Sequence, residues 1–275
     1  MGKKLRALRE DQQLTLEDVA DKTDSFTVAK LSRLELAKSA AKAPDVEALL
    51  SLYGVTDDEL RAALLSLARE GAQRGWWHGY RGVLSPIYED LISLEHESTT
   101  VRSWQIGLIP GLLQTGDYAR EVITATAMSA ALEERIDPLV EVRLARQSVL
   151  TREQPVDLWA IIAESALHAS CVGEGTMRDQ LTRLLERGRR PNVTIQILPS
   201  DAPPHVGQMG SYSLLSFEEG VDLDVVHIES LTAALYVEEP DQVSVYRDAF
   251  ERLRAAALSP ELSAQRIAEI REKTE

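Results

Sequence analysis

The segments Leu14-Thr-Leu-Glu-Asp-Val-Ala20 and Lys30-Leu-Ser-Arg-Leu-Glu35 decide the fold of the N-terminal part of this chain. Thr15 is a good N-cap for a helix, and Asp18 stands where a capping box carries Glu or Gln. The two leucines of the second segment recur at helical spacing, and Val28 lies one turn before the first of them. The pattern predicts two short helices in succession, each with an apolar inner face.

The outer face of the second of these helices, the third in the chain, suits a DNA groove. With Leu31 and Leu34 turned inward, the 100° helical step defines the outward positions and their flanks: Phe26, Ala29, Lys30, Ser32 and Arg33. The arginine can donate two hydrogen bonds to guanine, the lysine can reach a base or a phosphate, and the alanine permits close approach. On spacing alone, an amphipathic helix with a solvated basic face explains the pattern equally well.

Further residues are candidates for contacts with the DNA backbone. Thr27 is well placed for a base edge or a phosphate, and Lys38 and Lys42 follow the helix as positioning contacts. The hydroxyl and free N–H groups at Thr15 offer another phosphate site. The predicted DNA-binding set is therefore Thr15, Thr27, Ala29, Lys30, Ser32, Arg33, Lys38 and Lys42.

The segment from Lys30 to Glu35 resembles the S/K-I-S-R-I-E signature of Xre and phage-repressor type helix-turn-helix proteins. The resemblance implies a five-helix DNA-binding domain in which the signature glutamate, Glu35, pairs with Arg9 of the first helix. We interpret Arg9, Leu31, Leu34 and Glu35 as structural, because an inward glutamate needs a cationic partner. Contact of Arg9 with phosphate is the alternative.

Three positions depart from the pattern of that family. Asp24-Ser25 replaces the glycine of the turn, Ala37 replaces a second glycine, and Leu16 stands where the family often has a glutamine that contacts DNA. These departures leave open an antitoxin-like protein-interaction module whose DNA binding is weak or lost.

The resemblance extends along the chain through five further motifs: Asp45–Val55, Leu94–Ser98, Ile109–Thr115, Arg143–Gln147 and Ala256–Pro260. Together they look like a large actinobacterial group of Xre regulators with a C-terminal domain of unassigned biochemistry. Members of that group resemble antitoxins and are often paired with a small partner protein. The resemblance therefore implies such a partner, encoded nearby.

The predicted fold is mainly α and α+β overall. A five-helix, phage-repressor-like helix-turn-helix domain is expected at 1–71, a Gly/Trp-rich junction at 72–83, and a mixed α/β domain with one small sheet at 84–275. Short β-branched runs predict strands at Val156–Ile162, Val193–Leu198, Tyr212–Phe217, Val225–Ile228 and Ala233–Val237. Helices are expected at Leu84–Ile92, after an Asp117 N-cap, at Glu133–Leu150, Met177–Glu186 and Val243–Leu258, and after a Ser259 N-cap.

The charge distribution restricts where DNA can bind. A net charge of −14 counts against a polyanionic partner. Through Lys42, however, nine basic residues stand against seven acidic ones, a balance of +2 that leaves −16 on the remainder. Only the N-terminal part is therefore expected to face DNA.

Cysteine usage and hydropathy predict a cytoplasmic protein with no membrane partner. Cys171 is the single cysteine, so it cannot form an intramolecular disulfide. No apolar run approaches the roughly 20 residues that cross a bilayer.

The C-terminal part shows no catalytic or metal-binding pattern. Its histidines lack ligand spacing, Cys171 and His168 are interpreted as core packing, and Glu95 and Glu97 as a solvated helix face. No metal, cofactor or enzymatic activity is predicted, and an enzyme with a DNA-binding tether is the alternative.

The loop Gln105–Thr115 needs a partner surface, because an irregular apolar loop must be buried against something. Packing within the domain is one interpretation. The other is a ligand pocket or a protein-docking surface, with the polar loop Asp201–Gly210 as its rim. The residues of that candidate surface are Pro110, Gly111, Leu112, Leu113, Gln114 and His205.

The sequence therefore predicts a transcription regulator that binds a palindromic operator as a homodimer. A single helix-turn-helix reads only a half-site, so two copies spaced by about 34 Å are expected. The C-terminal domain is expected to dimerise, to receive a signal or to bind the small partner protein.

Overall fold

The computed structural model describes residues 2–23, 26–35, 43–72, 77, 80, 82–127, 134–168, 172–217, 224–230 and 233–274. They form two compact units, one from the described residues between 2 and 77 together with Phe217, and one from those at 80–216 and 224–274. The predicted junction at 72–83 falls partly outside the described residues, and its boundaries stay predictions. Asp24, Ser25, Ala37 and Cys171 also lie outside them.

The secondary-structure elements described in the first unit are all helices. Its helices are α1 (Gly2–Asp11), α2 (Leu16–Asp21), α3 (Val28–Glu35), α4 (Ala43–Leu52) and α5 (Asp58–Ala72). Their apolar faces meet in one core that includes Leu5, Val19, Leu31, Leu49 and Leu64, none of them more than 1% exposed. Gly54, which follows α4, has a φ of +67°, as expected for a residue that ends a helix.

Two predictions about the inner and outer faces of α3 are wrong. Phe26 was expected to face outward, but it is 5% exposed and belongs to the core. Val28 was expected on the inner face, but it is 37% exposed. The prediction for Phe26 is wrong because α3 starts only at Val28. Phe26 precedes that start, so the helical step does not describe its direction.

The second unit contains a mixed six-stranded sheet with the order β3-β2-β1-β4-β5-β6. Its strands are β1 (Thr100–Gln105), β2 (Asp157–Ala163), β3 (Val193–Leu198), β4 (Tyr212–Ser216), β5 (Val225–Glu229) and β6 (Ala234–Val237). The first three pair in parallel, and the other pairings are antiparallel. The predicted fold class is confirmed, and the five predicted strands are each found within one residue at either end.

The central strand β1 was not predicted. Its sequence mixes Val101 and Trp104 with Arg102 and Ser103, so it lacks the apolar run by which the other strands were recognised. Ser103 is 3% exposed, and its hydroxyl accepts a hydrogen bond of 3.2 Å from Ser213 of the adjacent strand β4. A hydrogen bond between neighbouring strands thus allows a polar side chain to be buried where the sequence pattern predicts that it is exposed.

Six helices surround the sheet among the described residues. They are α6 (Pro86–Glu97), α7 (Gly116–Thr126), α8 (Ile136–Arg146), α9 (Glu174–Arg187), α10 (Pro240–Ala256) and α11 (Pro260–Lys273). Ser259 caps α11 by accepting from Leu262 N, as predicted. Helix α7 is capped by Thr115 rather than by Asp117, which lies in its first turn, so that prediction is wrong.

The core on one face of the sheet closes around Trp104, which is 1% exposed and packs with Phe250 and Leu253 of α10. Its indole Nε1 donates to the carbonyl of Gly207, at 2.9 Å. A Cβ on Gly207 would lie 2.6 Å from the indole ring and 2.8 Å from Leu253. Only glycine allows this approach of the backbone to the ring.

We therefore expect Gly207→Ala to lower the free energy of unfolding by about 1–3 kcal/mol, because overpacking a closed core forces its side chains apart. Gly107→Ala is the matched control, since a Cβ there meets nothing within 4 Å. Urea unfolding measures both. Equal stability of the two variants would contradict the packing described.

Candidate nucleic-acid interface

A buried ion pair joins α1 and α3. The Nε of Arg9 donates to Glu35 Oε1 at 2.7 Å and its Nη2 donates to Oε2 at 2.9 Å, while its Nη1 donates to the carbonyl of Leu14 at 2.6 Å. Arg9 is 7% exposed and Glu35 is 6% exposed. Burial raises the pKa of the neighbouring Tyr53 to about 12, and the Glu35 charge adds to that rise. One guanidinium therefore fixes α3 against α1 and against the turn that leads into α2.

The start of α2 is closed by a capping box. The Thr15 hydroxyl accepts from Asp18 N at 3.1 Å, and Asp18 Oδ2 accepts from Thr15 N at 2.8 Å and from the hydroxyl at 2.7 Å. These bonds lower the pKa of the Asp18 carboxyl. The hydroxyl predicted to contact phosphate is thus engaged within the protein, beside a carboxylate. This geometry favours a capping role for Thr15, and its contact with DNA stays a prediction.

Helix α3 presents the face on which the remaining contacts were predicted. Leu31 and Leu34 are 0% and 3% exposed, so with Glu35 they define its inner stripe. By helical geometry positions 29 and 33 lie opposite that stripe. Thr27 is exposed and its carbonyl accepts from Leu31 N at 3.0 Å, and Ser32 is half-buried. The side chains of Ala29, Lys30 and Arg33, and all of Lys38 and Lys42, lie outside the described part of the chain.

Leu16, which replaces the expected glutamine, is partly buried and packs against the core of the first unit. Its side chain therefore contributes to packing.

In the second unit, a buried guanidinium likewise joins separate helices. Arg146 of α8 donates through Nη2 to Glu95 Oε1 at 2.8 Å, and its Nε lies 2.7 Å from Oε2. Its Nη1 donates to the Tyr88 hydroxyl at 2.8 Å. Burial raises the pKa of the Glu95 carboxyl, and the charge of Arg146 opposes that rise. The two side chains link α8 to α6.

The interpretation of Glu95 as part of a solvated helix face is wrong, because the side chain is only 5% exposed. Glu95 shares the buried stripe of α6 with Leu91 and Ile92. The i, i+3 and i, i+4 spacing of these residues could have revealed it. The sequence pattern places the Glu95 carboxylate in solvent because its partner, Arg146, lies 51 residues away along the chain.

The loop Ile109–Thr115 is held in the interior by amides. Gln147 Nε2 donates to the carbonyl of Gln114 at 2.7 Å and to that of Gly111 at 3.2 Å. Gln180 Nε2 donates to Leu113 O at 2.9 Å, and Gln180 Oε1 accepts from Thr115 N at 2.7 Å. Gln147, which directly follows α8, and Gln180 of α9 thus satisfy the polar backbone of a buried loop, as buried amides require.

The side chains of this loop are also enclosed. Leu112, Leu113 and Gln114 are 3%, 0% and 2% exposed, and Pro110 is buried. Gly111 faces Arg146, whose Nη2 would lie 3.2 Å from an added Cβ. This burial favours packing over the alternative of a ligand or partner surface. His205, the predicted rim residue, packs edge-on against Trp104, with ring centroids 5.7 Å apart.

Three motifs therefore meet at one buried cluster: Leu94–Ser98 through Glu95, Ile109–Thr115 through its backbone, and Arg143–Gln147 through Arg146 and Gln147. Arg143 Nη1 adds a bond of 3.1 Å to Gln114 Oε1. We call this cluster the motif brace. All three motifs are recognisable in the sequence, but their spacing does not indicate that they meet, and it gives no signal for Gln180.

Comparison with known protein families adds two findings. Residues 88–269 match the family described as "Domain of unknown function (DUF5753)". The chain belongs to the DUF5753 family. Residues 1–64 of this DUF5753 protein match a helix-turn-helix domain, which supports a DNA-binding regulator. No curated protein matches the chain. All three motifs of the brace lie within the DUF5753 match.

Two searches of the described residues of this DUF5753 protein gave negative results. Within them, no three His, Cys, Asp or Glu side chains cluster as a metal ion would require. No described helix combines the length and hydropathy needed to span a bilayer.

We expect Glu35→Ala to lower the free energy of unfolding by about 3–5 kcal/mol, because Arg9 is then buried without its partner. The double variant Arg9→Met with Glu35→Leu is expected to recover most of that loss. Urea unfolding measures both. The ion pair would lose its assigned role if Glu35→Ala cost less than about 1 kcal/mol or if the double variant stayed as unstable as the single one.

The same double variant separates the two roles considered for Arg9. If Arg9 is structural, the logarithm of the variant's DNA affinity should fall with the logarithm of the salt concentration as steeply as for the wild type, because no phosphate contact is lost. A slope smaller by about one contact in the folded double variant would assign Arg9 to phosphate.

Proposed function

We propose that this DUF5753 protein is a sequence-specific transcription regulator of the Xre type, from the actinobacterial group, that reads DNA with α3. The observation that carries the proposal is the bonding of Arg9 to both Glu35 and Leu14 O within the residues that match a helix-turn-helix domain. Recognition by a helix-turn-helix requires a fixed angle between its second and third helices. The guanidinium supplies that rigidity from the inside and leaves the outer face of α3 for bases.

The proposed contacts divide into two kinds. Ala29, Lys30 and Arg33 read base edges in the major groove, with Arg33 donating to guanine O6 and N7. Thr15, Thr27, Ser32, Lys38 and Lys42 fix the protein on the backbone. The +2 balance of the segment through Lys42, against −16 elsewhere, supports an interface confined to this segment.

In this proposal the regulator is a cytoplasmic, non-enzymatic homodimer on a palindromic operator. Two half-sites about 34 Å apart provide the affinity that a single short helix cannot. The DUF5753 unit dimerises, receives a signal or binds a small antitoxin-type partner protein encoded nearby. Its domain boundaries are those predicted from the sequence, at 71 and 84.

A protein-interaction module with weak DNA binding is the second candidate, and two observations favour it. Asp18 places a carboxylate at the start of α2, where a phosphate would otherwise bind. Leu16 packs toward the core and offers no hydrogen bond to DNA. Both features weaken backbone contacts at α2 without affecting α3.

We expect Arg33→Ala to weaken binding to a selected operator by about 1–3 kcal/mol per half-site and to relax the preference at one base pair. The operator is first obtained by selection from random duplexes with the wild-type protein, and affinities are then measured at two salt concentrations. Arg252→Ala is the matched control, because Arg252 is an exposed arginine of α10 in the second unit.

Two results would contradict the proposal. An unchanged affinity in Arg33→Ala would remove Arg33 from the reading face. Failure of the wild type to enrich any sequence would support the interaction module instead.

A further inference from the structure

Four arginines crowd the C-terminal end of α9 and the turn that follows it. Arg183 and Arg187 lie at the end of the helix, and Arg189 and Arg190 come directly after it. Glu186 is the only acidic residue of the segment 183–190, so four positive charges stand against one negative charge, a local balance of +3. We call the four arginine side chains the arginine row.

The arginine row has no anionic partner among the residues that the structure describes. The Nε atoms of Arg183 and Arg187 are buried without an acceptor, although Arg187 is only 8% exposed. Arg189 and Arg190 are exposed, and neither forms an ion pair with a described carboxylate. By contrast, the equally buried arginines of the two ion pairs, at positions 9 and 146, each bind a glutamate.

The members of the row lie close enough to repel one another. Burial lowers the pKa of Arg187, and the charges of Arg183 and Arg190 lower it further. The helical course continues past the end of α9, because Arg190 N donates to the carbonyl of Arg187 at 3.0 Å. Positions 183, 187 and 190 therefore follow one side of the helix, at a spacing of four and three residues. An external anion would relieve this repulsion, which the carbonyl end of α9, with roughly half a negative charge, offsets only in part.

The turn that carries the exposed arginines is held in place. The side-chain amide of Asn192 donates to the carbonyl of Val156 at 2.8 Å and to that of Leu150 at 3.3 Å. Val193 N, at the start of β3, donates to the carbonyl of Arg190 at 3.1 Å. The charges are thus presented by a fixed backbone, which lowers the entropic cost of binding a partner.

We propose that the arginine row binds the phosphate backbone of duplex DNA, as a second contact that does not depend on base sequence. An arginine donates two parallel hydrogen bonds to a phosphate, which suits a row of guanidinium groups. From position 183 to position 190 the row extends about 10 Å, enough for about three successive phosphates of one strand. Reading of bases remains with α3, and the row adds one backbone contact outside the segment through Lys42.

The composition of the surface favours DNA over an acidic protein segment. Within 183–190 the two leucines offer little apolar surface, since Leu184 is 1% exposed and Leu185 is half-buried. A protein interface needs an apolar centre, whereas an interface with DNA is polar and positively charged. The choice of DNA also rests on the proposed function, in which the same chain reads an operator. The charge of −16 beyond Lys42 is a sum, and the row is a local exception to it.

The salt dependence of DNA binding tests the row. Full-length wild type and the double variant Arg189→Gln with Arg190→Gln are titrated, by fluorescence anisotropy, onto the selected operator and onto a random-sequence duplex of equal length, at several sodium chloride concentrations. For each bound protomer, we expect the slope of log affinity against log salt to become shallower by about one for each arginine removed. Both duplexes should lose affinity by the same factor, so the preference for the operator is unchanged.

Two further double variants make the result specific. Arg135→Gln with Arg252→Gln removes the same charge from two exposed arginines elsewhere in the second unit and should keep the wild-type slope. Arg189→Lys with Arg190→Lys keeps the charge of the row and should retain most of its slope. Equal slopes for the glutamine variant of the row and its charge-matched control would overturn the proposal.

The two duplexes separate this inference from the proposed function. Failure of the wild type to select an operator would contradict the proposed function, whereas the random-sequence duplex still reports on the row. On that duplex, wild-type binding with a slope that the row variant lowers and the control does not would support the inference. Absence of wild-type binding to it at low salt, or a loss of affinity confined to the operator, would overturn the inference.

Discussion

A buried guanidinium needs acceptors for its charge and its hydrogen bonds, and each unit of this protein is organised by one that has them. Arg9 links α1, the turn before α2, and α3 through Glu35 and the Leu14 carbonyl. Arg146 links α8 to α6 through Glu95 and Tyr88. Neither pair is worth much as a net source of stability, because desolvation offsets the attraction. Instead, the two ion pairs make other arrangements of the helices costly, because a shift of either helix would leave an unpaired charge in the interior.

The same constraint favours a structural role for the motifs that mark the second unit. These motifs hydrogen-bond to one another. Arg146 binds Glu95, and Arg143 and Gln147 bind the loop at 109–115. In the function proposed above, the first unit reads DNA with the outward positions of α3, whereas Arg9 holds that helix from its inner side. Structure and recognition are thereby assigned to different arginines.

Much of the fold could be predicted because its signals are local. The cap at Thr15, the β-branched strands and the cap at Ser259 are each carried by a few adjacent residues. The Arg9–Glu35 contact was implied by the family resemblance. What could not be predicted depends on distant partners. Ser103 of β1 is buried with a hydrogen bond from Ser213 of β4, and Glu95 is buried with Arg146, which lies 51 residues further along the chain. Phe26 faces inward because the helix begins after it, a boundary that periodicity does not locate.

A double-mutant cycle on Glu95 and Arg146 tests most directly the claim that a matched guanidinium organises the fold. Glu95→Gln, Arg146→Met and the double variant are unfolded in urea alongside the wild type. The account predicts that each single variant is strongly destabilised and that the double variant is far less so than their sum, with a coupling of at least about 2 kcal/mol. Effects that add to within about 0.5 kcal/mol would contradict it, because the two side chains would then act independently.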